Sequence, residues 1–476
     1  MKNISFLVIL LTMGLFSCSE DTMMEINRNP NSPTDVESRL IITDIITSSA
    51  FSVTGSDLAL YASVYVEYNV GIWNQMYNAE MRTTEPSTAT TYNNTWNNIY
   101  ENLWNLKTII EKCSPEGNED GNTAVLGMAQ ILSAYNLSIL TDVMGDVPWT
   151  EALQPGDFWT PNLDKQESIY AEINNFITEG IANLEKQSSY ASIGAQDPLF
   201  GGNAGRWIKF AYGLKARYAM RLSKVRPDYN AVISAANNSF ANKSEEAIYR
   251  CTNFRNPFQR FFTDRDYFGA SQSLHDKLVA RDDPRDETFF RPHPVNGELI
   301  FAPNGSPTQI QQYYSISAQA TSNATAPIYL MSYHELEFLK AEAYARLGDL
   351  DNAKVALRNA ATTALVNAGI DAADATAYYE SDIETKLYNQ AETLKEVMFQ
   401  KYLGLFEIES IETYNDVRRL RAMGEGDLMP LASTLRFPLR YSYGNEDVTT
   451  NINVRNAYGD GSYVYTENVW WAGGSR

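Results

Sequence analysis

Between residues 326 and 365 the chain reads APIYLMSYHELEFLKAEAYARLGDLDNAKVALRNAATTAL, and this stretch admits few folds. Leu336, Leu339, Ala343 and Leu347 recur at helical spacing, with Phe338, Ala341 and Ala345 as a second apolar stripe beside them. A helix apolar on two sides must pack against both a partner and a core. Leu347-Gly348-Asp349 breaks the pattern, and a second helix begins near Leu350 with Ala353, Ala356, Ala360 and Ala361 as its small face. Small residues there let two antiparallel helices approach closely. One such hairpin cannot bury its own faces, so further helices must stack on it.

Helix, LGD turn and alanine-lined helix resemble one tetratricopeptide-type repeat, a unit of about 34 residues. An ordinary helical hairpin in an all-α protein fits the same letters. The expected fold is therefore mainly α, with helical hairpins as a scaffold, long irregular loops and few short strands. Periodicity predicts two or three helices over 37–113, with Trp96, Ile99, Leu103, Leu106 and Ile110 on one face of the segment 92–110. Further helices are predicted over 126–141, 165–187, 206–225, 229–240 and 380–405. The helix at 206–225 carries several cations, but Trp207, Phe210, Leu214, Tyr218 and Leu222 form a continuous core stripe. Its cations are expected to pair with carboxylates elsewhere. Residues 250–325 lack a long helical period and are rich in Pro, Gly, Asn, Gln and aromatic rings. An excursion this long inside a compact domain is usually functional.

With 476 residues the chain can bury one or two large cores. A formal charge of −20 repels phosphate backbones and argues against nucleic-acid binding. Lys2 followed by the apolar run 4–16 forms a secretion signal too short to span a bilayer. It ends Leu15-Phe16-Ser17-Cys18, a small residue just before a cysteine, as lipoprotein processing requires. The expected organisation is a signal peptide at 1–17, an acylated Cys18 with a flexible tether to 36, and one helical domain over 37–476 with its excursion at about 250–325. Acyl chains on Cys18 would hold the protein at a membrane surface, and no other stretch is expected to span one. Cys113 and Cys251 are expected to be free, buried thiols.

Little in the chain points to catalysis. His275, His293 and His334 lie far apart without metal-ligand spacing, and HExxH, G-x-S-x-G, a phosphate loop and paired CxxC are all absent from the sequence. Glycosidase chemistry needs only two facing carboxylates, so among 58 acidic residues counting alone does not exclude it. Asp142 and Asp146 suit a turn in which carboxylates cap backbone N–H groups better than they suit a metal site. No metal or cofactor is expected. Rings set among polar residues are the better signal: Trp73, Tyr77 and Tyr92 within 68–92, and Tyr267, Tyr313 and Tyr314 within the excursion. Aromatic faces beside Asn and Gln suit flat, amphipathic ligands such as sugars. These six are the candidate ligand contacts.

Several blocks carry a family resemblance. Ile26-Asn27-Arg28-Asn29-Pro30-Asn31-Ser32-Pro33-Thr34 resembles the segment that opens SusD/RagB-family lipoproteins, and Gly145-Asp146-Val147-Pro148-Trp149-Thr150-Glu151-Ala152-Leu153 resembles their GD-PW-EAL segment. Trp96-Asn97-Asn98-Ile99-Tyr100, Asp282-Asp283-Pro284-Arg285, Tyr414-Asn415-Asp416-Val417-Arg418-Arg419 and Val469-Trp470-Trp471 follow in family order, with Tyr414 where Trp is usual. Ser19-Glu20-Asp21 resembles the acidic surface-export tag of Bacteroidetes lipoproteins. The resemblance implies a non-catalytic lipoprotein of the outer membrane, facing the exterior. It would capture oligosaccharide or polysaccharide for a TonB-dependent, SusC-like transporter. Peptide capture for a peptide importer, as in some members, is the alternative, and a glycoside hydrolase the remote one. Within such a family the hairpin at 326–365 is scaffold, and specificity falls to the loops.

Overall fold

The computed structural model describes residues 35–83, 90–154, 156–252, 254–317 and 323–476. The signal peptide, Cys18, the family's opening block and nearly all of the tether lie outside the described residues.

The first half packs helices α1 (Ser38–Ser48), α2 (Asp57–Tyr65), α3 (Asn74–Glu80), α4 (Asn93–Cys113), α5 (Thr123–Met144), α6 (Gln166–Leu184), α7 (Ala204–Arg221) and α8 (Tyr229–Asn237). The excursion holds the short helices α9 (Pro257–Arg265), α10 (Gln272–Val279) and α11 (Arg285–Phe289). The hairpin follows as α12 (Tyr333–Leu347) and α13 (Leu350–Asn367), then α14 (Ala372–Tyr378), α15 (Gln390–Gly404), α16 (Ser410–Met423) and the short α17 (Asn445–Thr450), α18 (Ile452–Tyr458) and α19 (Tyr463–Thr466). Strands are two to four residues long and pair antiparallel: β1 (Asn69–Gly71) with β5 (Phe268–Ala270), β2 (Val147–Pro148) with β3 (Leu163–Asp164), β4 (Ala247–Tyr249) with β8 (Ile328–Met331), and β6 (Phe290–Arg291) with β7 (Ile316–Ser317). Helices dominate and the strands act as clips.

The hairpin forms as its pattern dictates. Ser332 caps α12 by accepting the Glu335 N–H at 3.0 Å, and Gly348 ends it in the left-handed region at φ 79°. Asp349 then caps α13 through the Asn352 N–H. Leu336, Phe338, Leu339, Ala353, Ala356, Ala360 and Ala361 are all buried, whereas Leu347 ends its stripe at the surface. One hydrophobic cluster runs from Ile42 to Ala472.

Two cations of α7, Arg217 and Arg221, pair with carboxylates inside the protein, and Lys209 pairs with Glu245 nearer the surface. Arg217 binds Glu335 of α12 at 2.9 Å and Glu409 at 3.3 Å, and Arg221 pairs with Glu412 of α16. Arg419 grips Glu342 through two 2.7 Å bonds and Asp416 at 2.9 Å, while Lys401 of α15 meets Asp416 at 2.6 Å. Four helices are thus pinned by charges that have left water, an arrangement that costs several kcal/mol when one partner is removed.

Three expectations need correction. Asp142 is buried and takes the Tyr170 hydroxyl proton donor beside Arg221, so it belongs to this ion network rather than to a turn. Asp146 does cap, accepting the Gln166 N–H at 2.8 Å. The predicted helix over 380–405 is interrupted: a π turn at Tyr379–Ile383 and a 3-10 turn at Glu384–Lys386 precede α15, which Asn389 caps anew. Finally, α5 is long and apolar enough to cross a membrane, contrary to expectation, yet 89% of its apolar window is buried inside the protein. Its apolar circumference is explained by packing on α4 and α6. Cys113 and Cys251 are free and buried, as expected.

Candidate functional site

The loop surface is built where two distant segments are clipped together. Gly71 ends β1 against the backbone of Met76, where any Cβ would collide with the carbonyl, so the chain can double back tightly into α3. Trp73 stands at the N-cap of α3 in extended conformation, and Asn74 follows in the left-handed region at φ 46°. The antiparallel pair sets Gly71 opposite Phe268. It continues past its end, where the Ile72 N–H donates to the Tyr267 carbonyl at 2.8 Å.

Side chains then complete the junction. The Asn74 amide donates to the Tyr267 hydroxyl at 3.1 Å. This bond, opposed by burial and assisted by Arg265, holds the phenol below its ordinary pKa. The ring itself packs edge-on against Phe261 at 5.8 Å. Asp266, in the left-handed region at φ 50°, ends α9. Its carboxylate accepts the Gln312 N–H at 2.8 Å, while Gln311 donates to the Arg265 carbonyl at 3.0 Å. Asn296 donates to the Tyr313 carbonyl at 2.8 Å. Segments 72–77, 265–267 and 311–314 therefore form one surface, held by backbone and amide hydrogen bonds.

Beneath it lies a buried carboxylate. Glu80, at the end of α3, accepts the Gly305 N–H at 2.5 Å and the Gly71 N–H at 3.4 Å. Burial pushes its pKa up to about 7, although Arg82 and the two amides act to lower it. One side chain thus ties the helix, the β1 turn and the 303–305 loop together.

The six candidate rings divide. Tyr313 is 42% exposed, and Trp73 and Tyr77 are half-buried. Tyr267 is mostly covered, with its hydroxyl engaged by Asn74. Tyr314 faces inward: it packs with Val70, Ile72 and Ala302, and its hydroxyl accepts the Thr308 N–H at 3.0 Å. Tyr92 is a correction. It is wholly buried, stacked on Tyr441 at 4.2 Å and hydrogen-bonded to Tyr65 at 3.0 Å, because α2 and the C-terminal segment close over it. It is core, not a ligand contact. Sequence reasoning missed Asn74, whose isolated amide carries no pattern, and Phe254, 61% exposed against Phe51.

The histidines stay apart. His334 is buried against the Gly404 carbonyl and desolvation lowers its pKa to about 3. His275 stacks on Phe301 at 3.8 Å and bonds Asp286 at 2.7 Å, while His293 lies 3.4 Å from Asp266. Among the described residues, no three His, Cys, Asp or Glu are placed to hold a metal.

A pinned helical scaffold presenting an irregular, aromatic loop surface defines a recognisable class of architecture. The family model SusD-like_2, described as starch-binding associating with outer membrane, matches residues 30–443. A SusD/RagB family protein from Bacteroides thetaiotaomicron superposes with a TM-score of 0.87 at 41% identity, covering 93% of this chain and 100% of that one. A chitin-binding SusD homolog from Flavobacterium johnsoniae (TM-score 0.73, 18% identity, 92% and 99% coverage) shares the fold. So does a protein described as chitin-binding, with a TM-score of 0.71, 22% identity, and 91% and 99% coverage. A search of curated proteins finds no match. The chain belongs to the SusD-like family.

Proposed function

We propose that the protein is a non-catalytic glycan-capture lipoprotein of the outer membrane. Acyl chains on Cys18 hold it at the outer face, and it passes oligosaccharide to a TonB-dependent, SusC-like transporter. The observation that carries this reading is the ring-bearing loop surface of Trp73, Tyr77 and Tyr313, set among Asn74, Gln311 and Gln312 on a chain of this family. Rings offer flat faces to the C–H sides of a sugar, and neighbouring amides satisfy its hydroxyls. Tyr267 and Tyr314 then act as supports that fix those rings, with Tyr267 within reach of a ligand through its hydroxyl. The scaffold stays rigid while the transporter performs the energised step.

Titration calorimetry of the mature chain against neutral oligosaccharides tests this. Binding should appear for at least one glycan class and weaken about tenfold or more on Trp73→Ala, about 1.4 kcal/mol. Silence across the panel, or peptides co-purifying with the native complex, would overturn the glycan reading. Hydrolysis of a bound oligosaccharide would overturn the non-catalytic one.

A further inference from the structure

The two exposed tryptophans among the described residues belong to elements other than those of the loop surface. Trp104 on α4 is 41% exposed, Trp159 is 84% exposed, and Phe158 beside it is 44% exposed. Leaving an indole this open in water is unfavourable, and clustered exposed aromatics mark interaction sites. Trp104, Tyr100 and Phe158 wall a cleft of about 330 Å³, at the small end of the size range of ligand pockets. Its elements are α4, the loop between β2 and β3, and α17; none of them contributes to the loop surface.

The cleft is fixed before any ligand arrives. Tyr100 donates to the Pro148 carbonyl at 2.7 Å, and Lys107 donates to the Leu153 carbonyl at 2.7 Å. Glu151 accepts the Asn162 N–H at 2.8 Å and its side-chain amide at 2.9 Å. From α18 and its cap, Asn453 and Asn451 donate to the carbonyls of Thr160 and Pro161 at 2.9 and 2.8 Å. A preformed site binds without the entropic cost of ordering its walls.

Its polar chemistry selects the ligand. Asp447 lines the cleft, and its Oδ2 accepts the Trp96 indole N–H at 2.5 Å. Its Oδ1 has no hydrogen-bond partner among the described residues and is not sealed from solvent. Flat apolar rings beside one free acceptor suit the C–H face of a pyranose whose hydroxyls donate to the carboxylate. Acidic sugars would meet Asp447 and Glu151. Cationic ligands would meet the Lys107 ammonium, 6.0 Å from the Trp104 ring centre.

We propose that this cleft is a second sugar site, taking neutral pyranose units of a longer chain independently of the loop surface. It stands on its own chemistry and extends glycan capture to a second face. Electrophoresis of the mature chain through gels containing starch, xylan, mixed-linkage β-glucan, galactomannan, glycol chitin or polygalacturonate tests it. Retention by at least one neutral glycan should weaken at least threefold in Trp104→Ala and in Phe158→Ala, whereas Trp104→Phe keeps most of it. Trp73→Ala combined with Phe158→Ala should lose more than either alone, and polygalacturonate should not retain the protein. Phe158 lies in an exposed loop, so its removal leaves folding untouched, which circular dichroism checks. Unchanged retention in the cleft variants overturns the second site and leaves the loop reading standing. Retention of the wild type by no neutral glycan overturns both. Loss of transporter co-purification with glycan retention intact makes the patch a protein interface and overturns the sugar site.

Discussion

The helical scaffold and the loop surface are held by opposite means. Across α7, α12, α15 and α16 the ties are charged side chains withdrawn from water, such as Arg419 between Glu342 and Asp416. At the loop surface the ties are backbone N–H and amide bonds across strands of two or three residues, with Asn74, Asp266 and Gln312 strained into positive φ. Ion pairs hold long elements in one register, because any slip leaves a buried charge alone. Backbone clips hold a shape while leaving most side chains free to vary. A chain built this way can change its ligand without changing its scaffold.

Around Arg419 the carboxylates repeat the contrast, while burial raises Glu409 and Asp142 elsewhere in the same network. Burial would raise Glu342, but Arg419 and Arg346 outweigh it and hold it down to about 2; Asp416 is likewise depressed, where Lys401 and Arg419 overcome burial. Groups depressed on folding contribute stability above their unfolded pKa and lose it as pH falls through the folded one. Glu80 under the loops is raised, so its contribution is present below about pH 4.5 and lost as pH rises through 7. Acid should loosen the cluster around Arg419, and alkali the loop base.

The largest test strikes the scaffold. Arg419→Ala should cost about 3 kcal/mol in urea unfolding, since it takes a buried cation from both Glu342 and Asp416 and leaves only Arg346 and Lys401 to hold them; a loss under about 1 kcal/mol would erase the contrast. Next, Glu80→Gln should stabilise the protein at pH 8 by up to about 3 kcal/mol and have little effect at pH 4, followed by thermal unfolding at both values. Equal effects at the two pH values would show that Glu80 does not titrate in this window. At the surface, Trp73→Ala should lower glycan affinity about tenfold by calorimetry, and Tyr313→Ala should lower it while shifting stability by no more than about 0.5 kcal/mol. Smallest of all, Tyr92→Phe should cost about 1 kcal/mol through its lost bond to Tyr65 and leave affinity unchanged. A fall in affinity there would return Tyr92 to the site.

Long helices were legible because their period is written in consecutive residues: the 326–365 hairpin, the face of α4 and the core stripe of α7 all form as their spacing implies. Ring exposure was not legible. Tyr92 sits among Thr and Asn, as Trp73 does among polar residues, yet Tyr441 from the far end of the chain covers one and leaves the other half open. Tyr313 and Tyr314 are neighbours with opposite fates, because Tyr314 packs against Val70, Ile72 and Ala302 from distant segments while Tyr313 stays outside that cluster. The exposed Trp104 escaped notice because the other face of its helix serves the core.

Local pattern by itself determined the helical class and the hairpin, since periodicity is a property of short stretches. The order of the blocks determined the family. Tertiary structure alone decided which rings meet solvent, which carboxylates enter the core, and that α5 is an inner helix. Those outcomes depend on contacts between residues far apart in the chain, and no window of sequence contains both partners.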